Sequence, residues 1–326
     1  MMLLRWVCRH PLLGYFALTY GISWGGILAV LGATGFDLTV LRPLDTGLIF
    51  VSMLLGPSIA GLTMTALLDG RAGLRELRSR LLCWRVAPRW YALALLTLPV
   101  LMLAVLWPFS LIADSPFAPR FHWPMLAIGL VAGTFEEIGW TGFASPRLLA
   151  RQRYFAAGLS LGLVWAMWHV LVDFRQNYSA MGTVGMVWLL QFAVFYLASL
   201  TAYRILMTWM FAHSGSLLLA VLMHASYTGW SLVLFPATSF EQGLTWQTTL
   251  AAALCLVVAV VIGVFGHPRR AGTRRWDRQS SNANPPKESI MSSTIAFMGR
   301  YPVPAYCGAA SGVRSTAACC AAHSRR

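Results

Sequence analysis

Apolar residues run along this chain in long unbroken blocks, without the short alternation expected of half-buried strands. Eight blocks reach or approach the roughly 20 residues that a helix needs to cross hydrocarbon. They cover positions 11–32, 48–68, 91–112, 124–144, 156–173, 184–203, 215–235 and 247–266. A membrane-spanning barrel would need short alternating strands, so helices are the spanning solution that remains. The predicted fold is therefore all-α: a polytopic transmembrane helical bundle of about eight spans.

The segments between the blocks differ in charge. Arg71, Arg75, Arg78, Arg80, Arg85 and Arg89 lie between the second and third, Arg147, Arg151 and Arg153 after the fourth, and Arg204 after the sixth. The opposite loops hold Arg42, Arg120 and Arg175 singly, each with an Asp nearby. Basic loops stay on the cytoplasmic side, which predicts a multi-pass protein of the cell membrane with both termini in the cytoplasm. Residues 73–86 read as an amphipathic helix on the inner leaflet. The first block follows Arg5 and Arg9 but lacks a small-residue cleavage site, so it is expected to be a retained span. Gly21 and Gly25 within it form a GxxxG helix-packing pattern. Past residue 266 the chain becomes rich in Ser, Ala, Arg, Asn and Pro. The expected division is a membrane domain over 1–266 and a disordered basic tail over 267–326.

Composition agrees: 57% of residues are hydrophobic and 11% charged, against about a quarter charged in soluble domains. The net charge of +14 does not point to nucleic acid, because the arginines sit between apolar runs and in the tail rather than on one face. The partner that composition implies is membrane lipid. The six cysteines include no CxxC pair, so no zinc ribbon is indicated.

Eleven acidic residues are present, and only Glu136 and Glu137 fall well inside an apolar block. A carboxylate in hydrocarbon costs several kcal/mol unless it finds partners. Adjacent carboxylates also repel one another, so such a pair is a poor structural device, although buried hydrogen bonds between helices would be a purely structural use. Of seven histidines, His169 and His224 lie inside blocks, and each taken alone would be an ordinary packing histidine. At 1.5 Å per residue, His224 comes roughly 15 Å, His169 roughly 20 Å and Glu136 roughly 18 Å from the starts of their blocks. All three therefore fall near the middle of a layer about 30 Å thick. Glu136 and Glu137 point about 100° apart around a helix, so they are expected to do different work. Glu137 shares its face with Gly133 and Thr141, and Glu136 with Trp140. Gly133 and Gly139 leave room for a neighbouring helix. A buried carboxylate can act as general base toward water, while imidazoles polarise a carbonyl or stabilise an oxyanion, which suits amide hydrolysis. Glu136, His169 and His224 would also suit zinc with a fourth position open for water. No GxSxG, HExxH or Walker pattern occurs, and Ser160, Ser226 and Cys255 have no triad spacing.

The run from Glu136 to Leu148, Glu-Glu-Ile-Gly-Trp-Thr-Gly-Phe-Ala-Ser-Pro-Arg-Leu, resembles the first motif of the CPBP intramembrane proteases. That family contains the CAAX prenyl endopeptidases and bacteriocin-processing, Abi-like proteins. Its pattern is two glutamates, three residues, then Arg; Thr141 stands at the Arg position here. A second motif, Phe, three residues, His, resembles Trp165 to His169, with Trp in place of Phe. The third, His, three residues, then often Asn, resembles His224 to Thr228. The resemblance covers about residues 120–232. It implies an endopeptidase with a peptide or membrane-protein substrate, in which Glu136 activates water with help from His169, Glu137 orients, and His224 with Thr228 supports the oxyanion. Members have been called metalloproteases. Two other readings of the residues stay open: a non-catalytic immunity or binding protein of the same family, and a proton-coupled transporter using the paired glutamates as a relay.

Overall fold

The computed structural model describes residues 2–38, 40–112, 116–181 and 185–265. The proposed tail, 267–326, lies outside the described residues. Those that are described form helices and connecting turns, with no strand among them. A short helix α1 (Met2–Arg9) leads into α2 (Pro11–Ala33), then α3 (Pro43–Leu81) and α4 (Pro88–Ile112). Next come α5 (Met125–Gly139), a π-helical segment (Trp140–Ala144) and α6 (Ser145–Leu149). The chain continues through α7 (Tyr154–Trp168), α8 (Val170–Met181), α9 (Met186–Phe192) and a second π-helical segment (Ala193–Leu200). It ends its described part with α10 (Thr201–Ser214), α11 (Leu217–Val233) and α12 (Phe240–Phe265).

The helix ends follow local chemistry. Pro11 and Pro43 open α2 and α3, where a missing N–H costs nothing. Ser216 caps α11 by accepting the Leu219 N–H at 3.2 Å. Gly215, at φ 66°, closes α10 in the left-handed conformation that Gly tolerates best. Gly70, at φ 61° and ψ −152°, breaks the helical path within α3 and turns its last third away from the first part. That last third is the basic amphipathic segment. It buries Leu77 and leaves Arg71, Arg75 and Arg78 exposed, and it ends at Leu81 rather than at residue 86.

Among the described residues, six helices are long and apolar enough to cross a membrane: Pro11–Ala33, Pro43–Leu81, Pro88–Leu111, Tyr154–Arg175, Met186–Ser214 and Glu241–Val264. The other two predicted blocks are helical but shorter or interrupted. The block over 215–235 is α11, 17 residues long. The block over 124–144 is α5 followed by the π-helical segment. The outer faces carry many exposed apolar side chains, among them Leu13, Leu62, Leu96, Leu111, Leu163 and Val260. Water would not tolerate apolar surface on that scale, whereas lipid does. The described part of the chain is thus all-helical, and the chain is a multi-pass membrane protein.

The buried centre lies where α5 meets α3 and α11, with α10 packed on α7. Glycine makes two of these approaches possible. A Cβ on Gly133 of α5 would lie 2.6 Å from the Val221 carbonyl oxygen of α11, and one on Gly61 of α3 would lie 2.7 Å from the Gly139 Cα. The expected role of Gly133 and Gly139 is met. That of Gly21 and Gly25 is not, because a Cβ on either would meet nothing within 4 Å. Their GxxxG faces outward instead of a neighbouring helix.

Candidate active site

Glu136 and Glu137 stand in the last turn of α5, just before the π-helical segment, and are 5% and 0% exposed. Their side chains diverge, as adjacent helical positions must. Glu137 points toward α10 and α11, and Glu136 toward α7.

Glu137 is enclosed by donors. Arg204 approaches from α10 with both terminal nitrogens, Nη2 to Oε1 at 2.8 Å and Nη1 to Oε2 at 2.9 Å. Thr141, one turn on from Glu137, donates its hydroxyl to Oε2. His224 Nδ1 lies 2.7 Å from Oε1. A carboxylate paired with a guanidinium accepts and does not donate, so the His224 Nδ1–H is the donor. In the neutral form of the ring, Nε2 is then the bare nitrogen.

That Nε2 faces Glu136 Oε2 at 3.9 Å, too far for a direct hydrogen bond. Glu136 is held from the other side by the Trp165 indole N–H, which donates to Oε2 at 3.0 Å. The Arg204 guanidinium lies over the Trp165 ring, 3.9 Å from its centroid. Trp165 therefore touches the groups that hold each glutamate, and its ring also packs against His224, centroids 5.0 Å apart.

His169 follows the last residue of α7 and turns its Nδ1 to the Trp165 carbonyl oxygen at 2.8 Å. Its ring packs against Trp165, Trp168 and Tyr196 at centroid distances of 5.7, 4.9 and 5.1 Å. It belongs to the cluster through Trp165 and has no hydrogen bond to either glutamate. Thr228 lies one turn beyond His224 on α11, half-buried, outside the hydrogen bonds that hold the glutamates.

Among the described residues no three His, Cys, Asp or Glu side chains are placed to hold a metal ion. Glu136, His169 and His224 therefore do not fit the suggested zinc site.

Arg204 is the residue that sequence reasoning misplaced. It was expected in a basic loop after the sixth block, yet it lies in the first turn of α10, 0% exposed, within a continuous helical stretch from Met186 to Ser214. A hydropathy reading ends a span at the first cation because a lone cation is costly in hydrocarbon. Here Glu137 cancels that cost. The available signal was arithmetic: two buried acids in one block call for a buried base in another.

Fold and site together define a multi-pass membrane protein with a buried carboxylate–imidazole–guanidinium centre built from α5, α7, α10 and α11. Residues 118–230, which contain every group just described, match the family of type II CAAX prenyl endopeptidases, Rce1-like. CAAX prenyl protease 2 of Methanococcus maripaludis is 32% identical over 103 residues, 31% of this chain and 37% of that protein. The match thus spans little more than a third of that relative's length. The resemblance read from the motifs is borne out: segment 118–230 is similar to the CPBP, or CAAX protease, family.

Proposed function

We propose that this protein is an intramembrane endopeptidase that hydrolyses a peptide bond of a membrane-associated peptide or protein. The observation that carries the proposal is the 3.9 Å gap between Glu136 Oε2 and His224 Nε2. Two acceptors at that spacing, with no bond between them, can share one water that donates to both. Glu136 takes a proton from this water as its oxygen forms a bond to the scissile carbonyl carbon. The same proton then passes to the departing amine nitrogen as the C–N bond breaks. His224 keeps the water oriented, and Glu137 keeps His224 oriented. The Thr228 hydroxyl, one turn beyond His224, is the candidate donor to the oxyanion, while His169, whose Nδ1–H is spent on the Trp165 carbonyl, packs against the indole that holds Glu136. No step runs through a metal.

A proton-relay transporter is less well supported. Glu137 is tied to Arg204, Thr141 and His224, which leaves one carboxylate rather than two to carry protons. The apolar helices and the family resemblance support a site within a lipid bilayer, and the charge difference between the loops favours both termini on the cytoplasmic side.

The reading is tested with the purified full-length chain in lipid vesicles. Quenched fluorescent peptides, unmodified or farnesylated near a C-terminal CaaX box, serve as probes, and mass spectrometry locates the cut. Internal cleavage of either probe, lost in Glu136→Gln, is the expected outcome. Cleavage by Glu136→Gln at the wild-type rate would refute the role of Glu136. A requirement for the farnesyl group would assign the substrate class.

A further inference from the structure

The resembled motif carries an arginine one turn after its second glutamate, and this chain has Thr141 there. Thr141 alone could give Glu137 one uncharged hydrogen bond. Yet a guanidinium is present: the Arg204 Nη1 lies 3.4 Å from the Thr141 hydroxyl oxygen, so the cation occupies space directly beside the empty position. It comes from α10, more than 60 residues further along the chain.

We propose that Arg204 supplies from another helix the guanidinium missing at position 141, and that it acts as a positioning residue for the centre. The two-pronged bond fixes Glu137 as an acceptor. Glu137 thereby selects the His224 form that carries its proton on Nδ1 and presents a bare Nε2 to Glu136. Through the Trp165 ring, the same cation braces the indole that holds Glu136. Both glutamates are thus oriented by one group that touches no substrate. A lysine cannot do this equally well, because an ammonium lacks the planar fork that matches a carboxylate and lies flat on an indole.

The proposal rests on the peptidase reading for its purpose, but its geometry is tested without substrate. Histidine labelled with nitrogen-15 reports which ring nitrogen of His224 carries the proton, with His224→Gln used for assignment. The full-length protein in lipid bilayers is expected to show His224 protonated on Nδ1. Arg204→Ala is expected to lose that signature, and Arg204→Lys to weaken it. The double variant Arg204→Ala/Thr141→Arg is expected to restore it, since the side chain added at 141 enters the space vacated at 204. If Arg204→Ala fails to fold, the double variant still decides, because it is expected to fold and to show the wild-type signature. An unchanged His224 in folded Arg204→Ala overturns the proposal. So does a double variant that fails to fold or lacks the signature. Cleavage by the probes above gives a second readout: Arg204→Lys is expected to lower kcat about 10-fold or more, with KM changed less than about 3-fold. Failure of cleavage in the wild type would refute the peptidase reading while leaving the nitrogen-15 result to stand.

Discussion

Trp165 replaces the phenylalanine of the resembled motif, and the replacement adds a hydrogen-bond donor. Its indole N–H reaches Glu136 at 3.0 Å, which a phenyl ring could not do. A hydrogen bond to a charged group is worth about 1.5–3 kcal/mol. Trp165→Phe is therefore expected to fold and to cleave roughly 10- to 100-fold more slowly, read from initial rates on the peptide probes. The two glutamates should differ in what their loss does to stability. Glu137→Gln strands Arg204 as a buried unpaired charge, and breaking such a pair costs about 3–5 kcal/mol. Glu136 has no cationic side chain bonded to it, so Glu136→Gln should leave thermal unfolding in detergent nearly unchanged while Glu137→Gln lowers the midpoint clearly. Equal losses would show that the two carboxylates are not divided as described. At this scale the acids and imidazoles were legible because ionisable groups in apolar runs are rare. Arg204 was not legible, because a cation beside an apolar run looks the same whether it ends a span or sits inside one.

Among the elements, α5 carries the glutamates and also the glycines that let α3 and α11 close on them. A Cβ at Gly133 would meet backbone at 2.6 Å, whereas one at Gly21 meets nothing within 4 Å. Overpacking a close contact costs typically 1–3 kcal/mol. Replacing an unconstrained helical Gly with Ala gains about 0.4–1 kcal/mol through the unfolded chain. Gly133→Ala is thus expected to destabilise the protein and Gly21→Ala to be neutral or stabilising, both measured by thermal unfolding in detergent. The reverse order would mean that α5 and α11 do not pack as described. The length of the apolar blocks located α2, α3, α5 and α11 but could not tell which glycine faces a partner, since both kinds sit in equally apolar sequence. It also could not foresee the π-helical segments after Glu137 and before Arg204, because a one-residue widening of the helix leaves composition unchanged.

For the molecule as a whole, the side chains that form the candidate centre all lie within segment 118–230, among the described residues. Ending the chain after residue 265 is accordingly expected to leave cleavage of the peptide probes within about 3-fold of wild type. A larger loss would assign the C-terminal residues a part in the reaction. Because the donors are not placed for a metal, a chelator is expected to leave the rate unaltered, and inhibition reversed by zinc would contradict that geometry. The multi-pass class was legible because bilayer thickness sets the length of an apolar block. What the sequence left open was how the blocks meet, since that depends on contacts between residues distant along the chain. The most direct test of the central claim compares peptide termini in membranes from cells carrying wild type or Glu136→Gln at equal levels. The account predicts new termini with wild type and the matching uncut precursor with Glu136→Gln. Identical sets of termini from the two strains would contradict it.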